Sequence, residues 1–145
     1  MIRRHLICGL VTSLLLSLPS FATNPVFNIR DYGAIGDGVT IDSNAINEAI
    51  QEAAASGGGT VWFPAGIYAS YSIRLKSNIT LHLDAGATLL AAYRSPDGKQ
   101  GYDPAEPNVW GDEHRYQDFG HSHWRNSLIW GENLENVSII GSGRI

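Results

Sequence analysis

Three groups of side chains in this 145-residue sequence could do chemistry. Asp112-Glu113 is a carboxylate pair, but neighbours in an extended chain point to opposite sides. A solvated loop is the plainer reading of that pair. His114, His121 and His123 could offer imidazole to a cation. His121 and His123 would share one face of a strand, yet their spacing matches no recognised ligand pattern, and no metal is expected. The third group is His121-Ser122-His123-Trp124-Arg125. Trp124 offers a flat apolar face, and Arg125 can grip a carboxylate with two parallel N–H donors. His121, His123, Trp124 and Arg125 are therefore the candidate substrate-binding residues. The alternative is that Trp124 packs the loop onto its support and Arg125 pairs with Asp118. A fourth group, Gly33, Gly36 and Gly38, has the spacing G-x-x-G-x-G with no following lysine, which argues against a nucleotide loop.

These candidates lie in one polar stretch, about 93–125, rich in turn residues and aromatics. A loop of that length in a compact domain is usually functional or disordered, and its aromatic content argues against disorder. What must support it is a set of short strands. Val26–Ile29, Thr60–Phe63, Tyr71–Leu75, Ile79–Leu83, Thr88–Ala91, Ser127–Trp130 and Val137–Ile140 read as extended segments. One helix is expected, from Asn44 to about Ala55, with Asp42 or Ser43 as its cap. Ala45, Ile46, Ala49, Ile50 and Ala53 fall on one face of it, and Gly57-Gly58-Gly59 ends it. Trp62, Phe63 and Trp130 sit inside apolar strands and read as core. Arg74, Lys76 and His82 read as solvated.

A weak repeat runs through the strands. Leu75-Lys76-Ser77-Asn78-Ile79-Thr80-Leu81 is echoed by Leu134-Glu135-Asn136-Val137-Ser138-Ile139. Each is a turn, an Asn, then a strand. Short strands between tight turns with a recurring Asn suggest a solenoid of parallel strands. The Asn would satisfy backbone groups at the corner, a plainer role than that of the glycosylation sequon each also forms. A β-sandwich would want longer strands. The early helix suits a lid over the apolar end of a solenoid.

The N-terminus is of another kind. Arg3 and Arg4 precede an apolar run, Leu6–Leu18, and small residues precede a cut after Ala22. Residues 1-22 are expected to be a secretory signal peptide, and the run is too short to span a bilayer. Its removal takes two arginines and no acid, so the formal charge falls from −4 to −6. Cys8, the single cysteine, leaves with it, and the exported fold must stand without disulfides. An acidic chain argues against nucleic acid as a partner. No membrane association after cleavage, a secreted or periplasmic location and a monomeric state are expected.

Phe27–Gly38, the helix and Gly58–Gly66 resemble the opening of pectate-lyase-like right-handed parallel β-helix proteins. Leu75–Leu89, Asn126–Trp130 and Asn133–Ile145 resemble glycoside hydrolase family 28, the polygalacturonases and rhamnogalacturonan hydrolases. The likeness covers about Phe27 to Ile145, roughly the first third of that family's domain. It implies an all-β, right-handed parallel β-helix of which 23-145 is the incomplete N-terminal part, with a loop insert at about 93-125 and no cofactor. It also implies an exported glycosidase that cleaves galacturonic-acid-containing polysaccharide (pectin) with inversion, one carboxylic acid protonating the leaving oxygen and carboxylate activating water. In that setting Trp124 would stack on a sugar ring and Arg125 would hold a uronate.

The family's catalytic motifs, Asn-Thr-Asp, Asp-Asp, Gly-His-Gly and Arg-Ile-Lys, do not occur here. Gly120-His121-Ser122 and Arg144-Ile145 only mimic parts of them. No catalytic residue is therefore assigned in this chain, which by itself is expected to be inactive. The catalytic aspartates are expected beyond residue 145. The insert suggests a groove closed at one end and attack at chain ends. A polysaccharide lyase on the same fold, or a non-catalytic β-helix carbohydrate-binding or tailspike-like module, are the competing readings.

Overall fold

An L-amino acid rarely adopts positive φ, and glycine and asparagine bear it best. In the computed structural model, which describes residues 24–106 and 125–145, one corner of the fold uses that conformation three times. Gly58 has φ 124°, Asn78 φ 62° and Asn136 φ 55°. Each lies immediately before or within two residues of a strand, β3 (Gly59–Phe63), β6 (Ile79–Leu83) and β9 (Ser138–Gly141). The three strands are parallel and in register: Gly59 pairs with Ile79, and Thr80 with Ser138. The corners therefore stack. The Asn136 side-chain amide donates to Asn78 Oδ1 at 2.9 Å, and Gly59 N donates to the Asn78 carbonyl at 3.0 Å. The corner role of both asparagines is thus observed.

Successive turns of chain build three parallel sheets. β1 (Val26–Asn28) extends the first to the order β1-β3-β6-β9. β2 (Asp37–Ile41), β4 (Gly66–Ser70) and β7 (Ala87–Ala91) form the second. β5 (Ile73–Arg74) and β8 (Ile129–Trp130) form the third. The path is a parallel β-helix, and its winding is right-handed, the sense that parallel crossover connections take. Strand spacing brings like positions together, so inward residues stack in columns. Phe27, Val61, Leu81 and Ile139 form one column, Phe63 and Leu83 a second, Tyr68 and Leu89 a third. Val61, Phe63, Tyr68, Ile73, Ile79, Leu81 and Leu89 are buried. Outward positions alternate with them: Trp62 and His82 are half-exposed neighbours on the outer face, so Trp62 is not the core residue expected from its apolar strand.

The helix α1 (Ser43–Ala55) covers one end of the coil with the expected face: Ala45, Ile46, Ala49, Ile50 and Ala53 are buried. Its expected cap is not formed. The Asp42 carboxylate, buried, accepts from the Ile35 and Gly36 N–H groups at 2.8 and 3.0 Å. Ser43 Oγ accepts from Tyr71 N at 2.7 Å. Both side chains bind neighbouring backbone rather than the helix. Asn47 does similar work in mid-helix. Its Nδ2 donates to the Ser72 carbonyl at 2.9 Å and its Oδ1 accepts from Arg74 N at 2.7 Å. One amide thus pairs with the edge of β5 as a strand would.

Two strands were not expected. β2 carries Asp37, Gly38 and Thr40 and has a register irregularity between Asp37 and Ile41. Its pairing comes from β4, not from its own apolar pattern. β4 begins at Gly66, so turn chemistry hides its start. Gly36 is held at φ 72°, and a Cβ there would lie 2.7 Å from the Tyr68 ring. Of the three glycines read above as no nucleotide loop, Gly36 thus serves a tight approach to a buried tyrosine.

The stacked corner gives a direct expectation. Asn78→Ala should cost about 1–2 kcal/mol, from αL strain and the lost amide bond. Asn78→Gly should cost less than half of that. Gly58→Ala should cost more than either, because its Cβ would lie 2.6 Å from the Asn78 carbonyl oxygen at positive φ. Urea midpoints of the full chain would rank the three.

Candidate functional site

β7 ends at Ala91 and β8 begins at Ile129. The chain between them is the insert, and both its ends return to the third sheet. Ser72 Oγ, buried beside β5, accepts from Asp103 N at 2.9 Å and donates to the Ser127 carbonyl at 2.9 Å. One hydroxyl ties the outgoing and returning limbs to the same coil. Tyr102 joins them, its ring edge-on to Tyr71 at 5.5 Å and its hydroxyl donating to the Ala92 carbonyl at 2.9 Å.

The strongest tie is ionic. Arg74 leaves the outer face of β5 and meets Asp103 with two donors, Nε at 2.8 Å and Nη2 at 2.5 Å. The Trp130 indole N–H, from the paired position on β8, donates to Asp103 Oδ2 at 2.8 Å. The parallel pairing of Arg74 with Trp130 is what lets both reach one carboxylate. The Arg74 guanidinium, followed by the Trp130 donor, holds the Asp103 carboxyl below its ordinary value, against the opposing effect of burial. Asp103 in turn raises Arg74.

Arg125 closes the second half of the cluster. Its guanidinium meets Glu132 at 2.6 and 2.8 Å and lies 5.5 Å from the centre of the Trp130 ring. Its backbone N–H donates to Glu106 at 3.2 Å. Arg74, Asp103, Glu106, Arg125, Trp130 and Glu132 therefore form one network on the third sheet. Of the residues expected to touch substrate, Arg125 is placed here. His121, His123 and Trp124 lie outside the described residues, as do Asp112, Glu113, His114 and Asp118. Among the described residues Arg125 is engaged by Glu132 and Glu106.

Two expectations are corrected. Trp130 is not core: it is half-exposed and uses its N–H and one face in the network. Arg74 is not merely solvated, being chelated by Asp103. No sequence pattern marks either, because Arg74 and Asp103 are 29 residues apart in the chain. Among the described residues no three His, Cys, Asp or Glu side chains converge as a metal site would need, and no helix is long and apolar enough to cross a membrane.

In chemical terms the network fastens the insert. Asp103→Asn should loosen it, costing roughly 1–2 kcal/mol and speeding tryptic cleavage at Arg94 and Lys99. The sign with pH follows from the lowered pKa. A carboxyl held below its unfolded value of 3.8 contributes stability above that value and loses it as pH falls through the lower folded value. Indole fluorescence should therefore report release only below about pH 3.8, and the Asn variant should lack that transition.

Comparison with known proteins follows the same geometry. The family model described as "Rhamnogalacturonase A/epimerase, pectate lyase-like" matches residues 26–127. An exo-poly-alpha-D-galacturonosidase of Dickeya chrysanthemi is 41% identical over 81 residues, 56% of this chain and 13% of that protein. The Family 28 exopolygalacturonase of Yersinia enterocolitica is 33% identical with a TM-score of 0.62, over 83% of this chain and 20% of that one. Mannuronan C5-epimerase AlgE5 of Azotobacter vinelandii is 57% identical over 42 residues, 29% of this chain and 4% of the epimerase. The chain thus spans a fifth or less of the length of these relatives.

Proposed function

The chain belongs to the rhamnogalacturonase A/epimerase, pectate lyase-like family, and on that premise we propose that it supplies the opening coils of an exported glycoside hydrolase acting on galacturonic-acid-containing polysaccharide. The observation that carries this reading is the likeness, in sequence and in coil geometry, to two exo-acting enzymes, the Dickeya galacturonosidase and the Yersinia exopolygalacturonase. The epimerase likeness is confined to a shorter stretch.

The mechanism proposed is inversion, in which an acid and a base stand roughly 6.5–9.5 Å apart around the scissile bond. Catalytic aspartates are expected on coils that follow Ile145. The part of the described residues is mechanical. The capping helix closes one end of the solenoid, and the Arg74–Asp103–Trp130 clamp fixes the base of the insert. An insert held in this way at the first coils would wall one end of a groove and favour removal of units from a chain end. The leader of residues 1-22 would direct the protein to a secreted or periplasmic location.

The test is expression of the reading frame together with any coding sequence that follows codon 145. Release of monomer or short uniform products from polygalacturonate, with inverted anomeric configuration by NMR, is the expected result. Unsaturated, ultraviolet-absorbing products would instead favour a lyase. Binding to pectin without turnover would favour a non-catalytic module. The 145-residue chain alone should show no turnover, and turnover by it would overturn the placement of the catalytic residues. Terminal sequencing of the exported protein should begin at Thr23.

A further inference from the structure

A cleft of about 280 Å³ lies between α1, the turn after β4 and the first limb of the insert. It is formed by three separate parts of the fold. Asn44 and Asn47 come from the helix, Tyr71 and Arg74 from the coil, Lys99 and Gln100 from the insert. Its size is sufficient for a single sugar unit. Its chemistry is amphipathic in the way a sugar is: the nearly buried Tyr71 ring is its apolar part, and amide, guanidinium and ammonium groups surround it.

Two features give the cleft a charge preference. Arg74 turns Nε and Nη2 toward Asp103, so the acid nearest the cleft is already neutralised. Among the described residues Lys99 has a loose partner, Asp97 at 3.5 Å, and its side chain is 82% exposed. An exposed pair of that kind is worth little, and the ammonium can turn to a better anion. The loop that presents it is nonetheless fixed. Ser95 N donates to the Gln100 carbonyl, Gln100 N to Ser95 Oγ at 2.8 Å and Lys99 N to Asp97 Oδ1 at 3.1 Å. A ligand would therefore meet a cleft whose backbone is already ordered, which lowers the entropic cost of binding.

We propose that this cleft is a binding subsite for one uronate unit, with Lys99 taking the carboxylate and Asn44 and Gln100 taking hydroxyls. The choice of a uronate over another small acid rests on the function proposed above; the cleft and its cation do not. The site lies beside the capping helix, and its ligand would contact α1 and the insert together. Occupancy would add to the hold that Asp103 has on the insert.

Amide NMR spectra of the full chain, titrated with D-galacturonate and in parallel with neutral D-galactose, would test this. The expected result is shifts centred on Asn44, Asn47, Lys99 and Gln100, with galacturonate binding tighter than galactose. Lys99→Gln should weaken galacturonate roughly three- to ten-fold and leave galactose unchanged. Asn44→Ala, also at an exposed position, should weaken both sugars. Absence of shifts at these residues, or equal binding of the two sugars unaffected by Lys99→Gln, would overturn the proposal. Because binding is read without turnover, the subsite can fail while the hydrolase reading stands, and can stand if the complete protein proves to be a lyase or a binding module.

Discussion

The fold depends on one repeated backbone event: a left-handed residue stacked on a left-handed residue at the same corner of successive coils. Gly58, Asn78 and Asn136 turn the chain with positive φ at equivalent positions of successive coils, and the strands that follow are in register. Register then decides everything that faces inward. A shift by one residue would move Val61 and Leu81 from the interior to the outer face. The hydrogen bond from Asn136 Nδ2 to Asn78 Oδ1 ties the corners directly.

A solenoid built this way has an exposed first coil, and polar side chains are spent on closing it. Asp42 and Ser43 lie at the start of α1 and Asn47 one turn further in, and all three bond to backbone outside the helix. The helix gives up its cap, worth about 1 kcal/mol, to satisfy buried or edge N–H and C=O groups. Leaving such groups unpaired would cost more. Burial of its Ala and Ile face secures the helix without a cap.

The insert is held by the same logic applied to charge. Two positions paired across β5 and β8 project Arg74 and Trp130 to the same side. A single carboxylate, Asp103, accepts from both. Ser72 adds a neutral tie beneath them. Scaffold and loop thereby become one body over the described residues near β5 and β8, which is what a binding loop requires if it is to present side chains at fixed positions.

Much of this was legible in the sequence. The alternating pattern of Ile79–Leu83 marked a strand with its exact bounds, and the apolar face of α1 marked every buried apolar residue of the lid, because both periodicities are local properties. The asparagines at positions 78 and 136 marked corners, because few L-residues tolerate that φ. β2 and β4 were not legible: one is polar and irregular, the other begins at a glycine, and each is a strand only because a neighbour pairs with it. The candidate site was read from residue type, and only Arg125 of that segment falls among the described residues. Its described partners, Glu132 and Glu106, and the Arg74–Asp103–Trp130 clamp could not be read at all. The sequence by itself determined which residues could turn, alternate or bury. Only the tertiary structure decided which charges would meet, since coiling brings together side chains that lie tens of residues apart in the chain.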